Sequence, residues 1–447
     1  MNSKSKAAID LTVGNPLKVI ILFTIPLILG NLFQQLYNVV DTVIVGHILG
    51  EEALAAVGAT SALYGFFTSA MFGFNNGFSV VIARYFGAKD EKQLKKAVAH
   101  TIMLAVMVVT VLTVIGMVFV KPLLRFLQTP AEIIEMSFAY IGIILTFSVV
   151  TMFYNMLSAM LRGIGNSLIP VVFLVISASC NVVLDIVLIR FCHMGVVGAS
   201  TATVISQMVS VIGCFVYIVY RCPILHVKKE DFKWDKSVAE DLFSNGLSMA
   251  MMFSIVSLGS IALQSAINTL GAVTIAAHTA ARKMVEMFMM FISPFTTAAA
   301  TFCGQNLGAN KKDRIWKGIK SAFIVIFSIV IIENIVVLFF ARPMIENLTG
   351  SDNEVLIATA VKYMRINLPF YFPLAVLLVL RSTLQGMNRK LIPLMASATE
   401  LIGKFVFAGV LVPMFGYTGV CFAEPITWVI GGILVGTDFV ISARKLK

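Results

Sequence analysis

Two aspartates stand in otherwise apolar stretches of the chain. Asp41 lies in an uncharged run after Lys18 that reads VIILFTIPLILGNLFQQLYNVVDTVIVG, and Asp185 lies in the stretch SASCNVVLDIVLIR. A charged side chain in the middle of a membrane costs about 2.5–3.5 kcal/mol on insertion scales, so it normally faces protein or water and has partners. Both aspartates are therefore candidates for binding a proton or a small cation.

The spacing of other polar residues predicts one polar face on each of three helices. Residues three or four positions apart lie on the same side of a helix. We expect such a face to line an interior cavity, while the apolar arc of the same helix meets lipid. The three polar sets are Asn31, Gln34, Asn38 and Asp41, with Tyr37 beside them; Ser177, Asn181 and Asp185; and Ala199, Ser200, Thr203, Gln207 and Ser210.

Three of these polar residues are predicted to lie at a similar depth. Asp41 and Asp185 are each five residues from the predicted outer end of their span, or about 8 Å. Thr203 is eight residues from Gly195, or about 12 Å by the same helical rise. Two nearby carboxylates in a low dielectric cannot both stay ionised without a cation. The pattern predicts a site for a small hard cation or a shared proton, with local capping of each aspartate as the alternative.

The composition is typical of an integral membrane protein made of helices. Of the 447 residues, 58% are hydrophobic and only 13% are charged, too few charges to cover a soluble protein of this size. The first apolar segment is too long for a cleaved signal peptide and is expected to be an anchor. Runs long enough to cross roughly 30 Å of hydrocarbon predict twelve spans: 18–46, 53–82, 97–120, 132–160, 168–189, 195–220, 239–268, 273–302, 318–341, 354–384, 391–411 and 416–441.

Basic residues are concentrated in alternate loops, which predicts the orientation. The positive-inside rule places the clusters at 89–96, 228–236 and 311–320 in the cytoplasm. Lys4, Lys6, Arg444, Lys445 and Lys447 then predict that both termini are cytoplasmic. The net charge of +11 comes from basic loops that set the orientation and contact anionic lipid. It therefore does not indicate a nucleic-acid partner. The segments predicted to lie outside carry Lys121, Arg125, Arg190 and Arg342.

No motif of an enzyme or of a metal centre is present in the sequence. The six cysteines lie in or beside apolar runs without CxxC spacing, which favours packing roles over disulfides or metal ligands. HExxH, GxSxG and P-loop patterns are absent. We therefore expect neither an organic cofactor nor a metal other than a possible Na⁺, and a membrane enzyme or receptor is a distant alternative.

The two halves of the chain resemble each other at a nearly fixed offset. LGEEALAA at 49–56 matches LGAVTIAA at 270–277, and YFGAKDEKQLKKA at 85–97 matches NLGANKKDRIWKG at 306–318, both 221 residues apart. Six predicted spans per half give both halves the same orientation, so the repeat is parallel. Two such bundles suggest a transporter that rocks one bundle against the other, although fusion for stability alone would leave the same pattern. The predicted domains are 1–221, a cytoplasmic linker at 222–238, and 239–447.

The second half departs from the first at the polar positions. Two pairs of its charges are four residues apart and could pair within a helix: Arg282 with Glu286, and Glu400 with Lys404. Structural pairing and contact with a substrate both remain open for these charges, which also include Glu333. In the alignment of the two halves, Asn181 corresponds to Lys404, Asp185 to Ala408 and Thr203 to Glu424. The candidates for a substrate cavity are Gln34, Tyr37, Asn38, Gln207, Arg282 and Glu286.

Three stretches of the sequence carry a resemblance to a known family. The opening PLKVIILFTIPLILGNLFQQLYNVVDTVIVGHILG, the RYFGAKD loop with its GQNLGAN counterpart, and NVVLD resemble the multidrug and toxic compound extrusion (MATE) transporters, in particular the bacterial DinF-like branch. The resemblance covers nearly the whole chain. It implies a V-shaped fold of two six-helix bundles in the bacterial cytoplasmic membrane, exporting organic cations and amphipathic drugs in exchange for sodium or protons.

The same resemblance implies roles for particular residues. The family's cation site in the first half would place its carboxylates on Asp41 and Asp185. Its helper groups would fall on Asn181, Thr203 and the backbone of Ala199. The segment GLSMAMMFSIVSL lacks the acid that some members carry early in the seventh span, so a second cation site of that kind is not expected.

The resemblance also implies a hinge, a set of partners and an alternative function. Pro26 matches the proline at which the first helix is proposed to bend. The expected partners are small-molecule drugs or organic cations and membrane lipids, with the protein a monomer. The alternative is a flippase of lipid-linked precursors in the same superfamily. Such a protein would be expected to line its cavity with cations, whereas the first bundle here is acidic and neutral-polar.

Overall fold

The computed structural model describes residues 9–127 and 129–446, and within these ranges the chain is helical and has no strand. The predicted all-α membrane fold is confirmed. Lys4, Lys6 and Lys447, and the side chains of Arg444 and Lys445, lie outside the described part. The helices are α1 Pro16–Leu49, α2 Glu51–Gly87, α3 Glu91–Phe126, α4 Ala131–Thr146, α5 Ser148–Gly163, α6 Leu168–Asp185, α7 Gly195–Arg221, α8 Lys236–Asn268, α9 Ala272–Gly308, α10 Lys312–Thr349, α11 Glu354–Asn367, α12 Tyr371–Gly386, α13 Leu391–Phe415 and α14 Tyr417–Leu446.

The described residues account for the twelve predicted spans. Eleven helical segments are long and apolar enough to cross a membrane, and the bent pair of α4 and α5 makes the twelfth. The pair bends by 46° at Phe147, inside the predicted span 132–160. The tenth span is α11 and α12 joined by a short 3₁₀ turn, Leu368–Phe370. Pro26 lies inside α1, which runs through it as one helix.

The internal repeat is visible in the backbone. Residues other than glycine rarely adopt a positive backbone φ angle, so residues with a positive φ mark specific turns of the chain. Such positions recur 221 residues apart at corresponding turns of the two halves, which confirms the repeat seen in the sequence. The pairs are Gly50 (φ 85°) with Gly271 (φ 91°), Lys89 (φ 56°) with Asn310 (φ 55°), and Gly195 (φ 58°) with Gly416 (φ 56°).

The chain divides into two compact units, each with its own packing. Of the described residues, one unit holds Ile9, Asp10 and Leu22–Ala250, and the other holds Leu11–Ile21 and residues 251–446. In the first unit, buried aliphatic and aromatic side chains of α2, α3, α4, α5 and α7 form a continuous core. In the second, α9 packs against α10, α11 and α12, and α13 packs against α14.

Within the first unit, α2 and the start of α8 approach each other at their backbones. A Cβ atom on Gly73 would overlap the backbone of Ala250, and one on Gly77 would overlap the backbone of Gly246. Gly65 in the same helix has no neighbour within 4 Å of such an atom. The two inner glycines are therefore needed for the close crossing, since any side chain there would push the helices apart.

The segment that leads into α8 is anchored on α3 of the same unit. The Lys96 ammonium donates to Asp235 Oδ2 at 2.8 Å, and the backbone N–H of Asp235 donates to His100 Nε2 at 2.8 Å. The hydrogen bond from Lys96 lowers the pKa of the Asp235 carboxyl below its ordinary value. Trp234 covers the His100 ring, with 5.6 Å between ring centroids.

The end of α9 and the start of α10 in the second unit bind the turn at residues 11–14, before α1. The backbone N–H of Leu11 donates to Gln305 Oε1 at 3.0 Å. Arg314 donates to the carbonyl oxygens of Gly14 at 2.6 Å and Val13 at 2.7 Å. Gln305 and Arg314 thus satisfy backbone groups that no secondary structure pairs.

Candidate cation site

Helices α1, α6 and α7 of the first unit position the residues predicted to bind a cation. Asp185 is the last residue of α6, where the helix continues as a π-helical turn, Ile186–Phe191. Short π-helical stretches inside α-helices are frequent at functional sites. The Asp185 side chain is fully buried, whereas Asp41 on α1 is partly accessible.

The two aspartates face each other across α1 and α6. Their carboxyl groups are within hydrogen-bonding reach of one another. Two ionised carboxylates are acceptors only, so this contact needs a proton or a cation between them. In addition, Asp41 Oδ1 and Asp185 Oδ1 are both buried without a hydrogen-bond partner among the described residues. The pair therefore presents unsatisfied oxygen atoms to a small positive charge.

Asn181 and Thr203 lie on one side of the Asp41–Asp185 pair. With the Asn181 amide turned so that both its atoms are satisfied, its nitrogen donates to Asp185 Oδ2 at 2.7 Å. Its oxygen then accepts from the backbone N–H of Thr203 at 3.2 Å. The Thr203 hydroxyl donates to the carbonyl oxygen of Ala199 at 3.1 Å. All five residues predicted for the cation site, Asp41, Asn181, Asp185, Ala199 and Thr203, thus lie in one cluster.

The structure separates the predicted substrate-cavity residues of this unit. The Tyr37 hydroxyl lies 3.5 Å from Thr203 Oγ1, beside the aspartates. Gln34 instead donates to Asn38 one turn away on α1, at 3.3 Å. Gln207 accepts a short hydrogen bond of 2.6 Å from the Thr151 hydroxyl on α5. Among the described hydrogen bonds of these four residues, that of Tyr37 links it to a residue predicted for the cation site.

Two tyrosines that the sequence reasoning missed also belong to these surroundings. Tyr64 on α2 lies close enough to Asp41 to interact electrostatically with its carboxyl group. Tyr140 on α4 interacts with Asp41, Asp185 and Tyr64 and is almost fully buried. A hydroxyl group in the middle of an apolar span was the available signal, since a buried tyrosine normally finds a polar partner.

The chemistry of this cluster is that of a hard-cation or proton site. Its candidate ligand atoms are the carboxyl oxygens of the two aspartates, with the hydroxyl oxygens of Tyr37 and Thr203 beside them, and oxygen atoms are the ligands that hard cations prefer. Within the described residues, no group of three or more histidine, cysteine or acidic side chains could hold a metal ion in another way. The six cysteines are all free.

Comparison with known proteins identifies the family. The MatE family model matches residues 26–187 and, a second time, residues 248–410. The chain belongs to the MATE family. The double match agrees with the internal repeat, and the first matched segment contains both aspartates of the pair.

Individual relatives are similar over much of the chain. A probable multidrug resistance protein of Bacillus subtilis, YoeA, is 32% identical over 66% of this chain and 65% of its own length, so the match spans slightly less than two thirds of that relative. A probable multidrug resistance protein of Thermotoga maritima, NorM, is 24% identical over 84% of this chain and 81% of its own. Among solved structures, a MATE protein in the bent conformation has a TM-score of 0.92 at 23% identity, covering 99% of each chain. The solved structure supports the same fold.

The second unit of this MATE protein carries a different cluster at the corresponding positions. Glu424 on α14 accepts from Arg282 on α9 at 2.7 Å and from Lys404 on α13 at 2.8 Å. The Tyr363 hydroxyl donates to the same carboxylate at 3.2 Å. The Lys404 stem passes Gly259 on α8, where a Cβ atom would lie 2.8 Å from Lys404 Cδ. A buried carboxylate with two cations therefore replaces the aspartate pair.

One predicted pairing in this unit is wrong. Glu400 and Lys404 do not pair within α13, because each has a closer partner on another helix. Glu400 accepts from Arg381 on α12 at 2.9 Å, and Lys404 donates to Glu424. Helical spacing alone permits the contact but does not exclude a better one. The Arg282–Glu286 pair does form, at 3.7 Å.

A cavity of about 340 Å³ opens beside this cluster within the second unit. Arg282 and Glu286, both predicted for a substrate cavity, line it. Glu333 on α10 does not belong to it. That side chain is 4% exposed, and neither carboxyl oxygen has a partner among the described residues.

Proposed function

We propose that this MATE protein is a cation-coupled antiporter that exports organic cations and amphipathic drugs across the bacterial cytoplasmic membrane. The coupling ion is Na⁺ or H⁺, and the Asp41–Asp185 pair binds it. The names of the relatives, multidrug resistance proteins, support the class of substrate. Membership of a transporter family supports a role without enzymatic chemistry.

The observation that carries the proposal is the pair of facing carboxyl groups with unpartnered buried oxygen atoms. Removing one proton or cation from this site leaves two negative charges in contact, a repulsion that a low-dielectric environment strengthens. Occupied and empty sites therefore favour different positions of α1 relative to α6. Ion binding at this site can thus select between conformations of the first unit.

Pro26 is the proposed hinge for this motion. It removes one helix hydrogen bond from α1 and so lowers the resistance of the helix to bending below the aspartate. Each positive charge moving down the membrane potential supplies about 2.3 kcal/mol per 100 mV, which can drive export against a substrate gradient. Asn181, Thr203 and the Ala199 backbone would hold the ion or its hydrogen-bond network.

The proposed topology places both termini in the cytoplasm, with the functional domains at 1–221 and 239–447 and the linker between them. The basic loops at 89–96 and 311–320 support this orientation through the positive-inside rule. The transporter is proposed to act as a monomer in contact with membrane lipids. Each domain holds one copy of the repeat, so a motion of one against the other fits a parallel two-bundle transporter.

The test uses purified protein in liposomes, with pH and Na⁺ gradients imposed separately and efflux of a cationic dye as the readout. Wild type is expected to move dye in response to one gradient, and Asp41→Asn to move none while remaining in the membrane. Glu52→Gln, an acid-to-amide change at an exposed position at the start of α2, is the matched control. Dye efflux by Asp41→Asn at the wild-type rate would refute the proposal. Turnover of a lipid-linked precursor without dye transport would favour the flippase.

A further inference from the structure

The cavity of the second unit combines a ligand-sized volume with an unpaired cation. Its volume of about 340 Å³ is within the range of small-molecule pockets, roughly 300–1,000 Å³. The walls include Leu263 and Ile267 on α8. Lys283 on α9 lines the same cavity, is exposed, and forms no ion pair or hydrogen bond within the described part of the chain. A free ammonium group beside apolar walls suits an amphipathic ligand with a negative end.

The charges around the cavity are positive in sum. Arg282, Lys283 and Lys404 contribute three positive charges, while Glu424 and Glu286 contribute two negative ones. Glu424 is 3% exposed and is already held by two cations and a tyrosine hydroxyl, so it offers little to a cationic ligand. The excess positive charge favours an anionic group in the cavity, which would compensate it.

Glu286 does not supply that compensation fully. Its nearest oxygen is 3.7 Å from Arg282 Nη2, longer than a hydrogen bond, and its side chain is 65% exposed. Arg282 uses Nη1 for Glu424, so Nη2 remains directed toward the weaker partner. A carboxylate from a ligand could therefore replace Glu286 at Arg282 and bind Lys283 at the same time.

We propose that this cavity is a substrate subsite that binds the carboxylate of an amphipathic compound between Lys283 and Arg282. The inference rests on the proposed export function and assigns the recognition of a substrate's negative end to two residues of the second unit. The two units then have opposite polarity. The first presents an acidic pair to a cation, and the second presents a basic pair to an anionic group. His278 and Thr279 supply further polar groups at the wall.

A pair of dyes that differ in one group tests the subsite. Rhodamine 110 carries a free carboxylate, and rhodamine 123 is its methyl ester. Binding to the purified full-length protein is measured by fluorescence anisotropy. Wild type is expected to bind the acid more tightly than the ester. Lys283→Gln is expected to weaken binding of the acid about tenfold, the loss of one charged hydrogen bond, and to leave the ester within about twofold.

Three further variants make the result specific. Lys283→Arg should restore the preference for the acid, Glu286→Gln should strengthen binding of the acid, and Lys317→Gln, the same change at an exposed position of α10, should have no effect. Equal affinity of wild type for both dyes, no binding of either, or an equal loss for both dyes in Lys283→Gln would overturn the inference.

The same dyes separate this inference from the coupling mechanism. Asp41→Asn is expected to stop transport of both dyes in liposomes but to keep the preference for the acid in the binding assay. If Asp41→Asn transports normally while Lys283→Gln loses the acid, the proposed coupling fails and the subsite stands. If the preference is absent while Asp41→Asn stops transport, the subsite fails and the coupling stands.

Discussion

Asp41 and Asp185 lie on different helices, far apart in sequence, and their carboxyl groups are within hydrogen-bonding reach of each other. Each retains a buried Oδ1 atom without a partner among the described residues. A pair of this kind is stable only with a positive charge or a proton between the two groups, because otherwise like charges repel in a weakly screened environment. We therefore expect uptake and release of that charge to be coupled to the distance between α1 and α6.

Replacing Thr203 with valine tests the wall of the site. Valine keeps the shape of threonine but removes the hydroxyl oxygen that lies 3.5 Å from the Tyr37 hydroxyl. We expect Thr203→Val to raise the half-saturating concentration of the coupling ion about tenfold, because the proposed site loses one oxygen atom that could contact the ion, and to preserve the maximal rate. Thr201→Val, on another face of α7, is the control. An unchanged ion dependence in Thr203→Val would remove that residue from the site.

The glycine crossing of α2 and α8 gives a stability prediction. Gly77→Ala is expected to lower the free energy of unfolding by about 1–3 kcal/mol, because the added methyl overlaps the backbone of Gly246. Gly65→Ala adds the same methyl to the same helix in open space and should be neutral or stabilising by up to about 1 kcal/mol. Melting temperatures in one detergent measure both. Equal melting temperatures for the two variants would contradict the close crossing.

The buried acids of the second unit predict opposite effects of one substitution. Glu333 has no partner for either oxygen, so Glu333→Met should be neutral or stabilising. Glu400 pairs with Arg381 at 2.9 Å, and both side chains are buried, so Glu400→Met leaves an uncompensated cation. Glu400→Met is therefore expected to lower the free energy of unfolding by about 3–5 kcal/mol. Thermal melts of the two purified variants provide the comparison, and destabilisation by Glu333→Met would show that this carboxyl has an essential partner.

The stability contributed by the Lys96–Asp235 pair, which holds the linker against α3, is expected to depend on pH. The hydrogen bond from Lys96 lowers the pKa of Asp235, so the stabilisation is present above the unfolded pKa of about 3.8 and is lost as pH falls through the folded value. Asp235→Asn should therefore lower stability at pH 7, by less than about 1 kcal/mol for this accessible pair, and the difference should shrink below about pH 4. Trp234 fluorescence during unfolding is the readout, and Glu230→Gln, on the same linker, is the control. A difference between Asp235→Asn and wild type that stays constant with pH would contradict the pair.

Much of the fold follows from local patterns in the sequence. Apolar runs of sufficient length determine the spans, because a membrane leaves the backbone few alternatives to a helix. The repeat predicts the second half from the first, and the left-handed residues Lys89 and Asn310 show that even the turns correspond. The convergence of Asn181, Asp185 and Thr203 was predictable from four-residue spacing and depth.

The rest depends on contacts between helices that spacing does not specify. Arg381 decides the partner of Glu400, and no pattern within α13 reveals it. Tyr64 and Tyr140 lie close enough to Asp41 for an electrostatic interaction only because of how α2 and α4 pack. The bend at Phe147 and the π-helical turn after Asp185 likewise have no proline to signal them.

The central claim is that Asp41 and Asp185 together take up the coupling ion. Infrared difference spectroscopy on the purified protein tests it directly, by following the carboxylic-acid C=O band as pH or Na⁺ concentration is changed. Wild type is predicted to show a band that Asp185→Asn and Asp41→Asn both lose, since each variant removes one partner of the same site. A band that persists unchanged in both variants would contradict the claim.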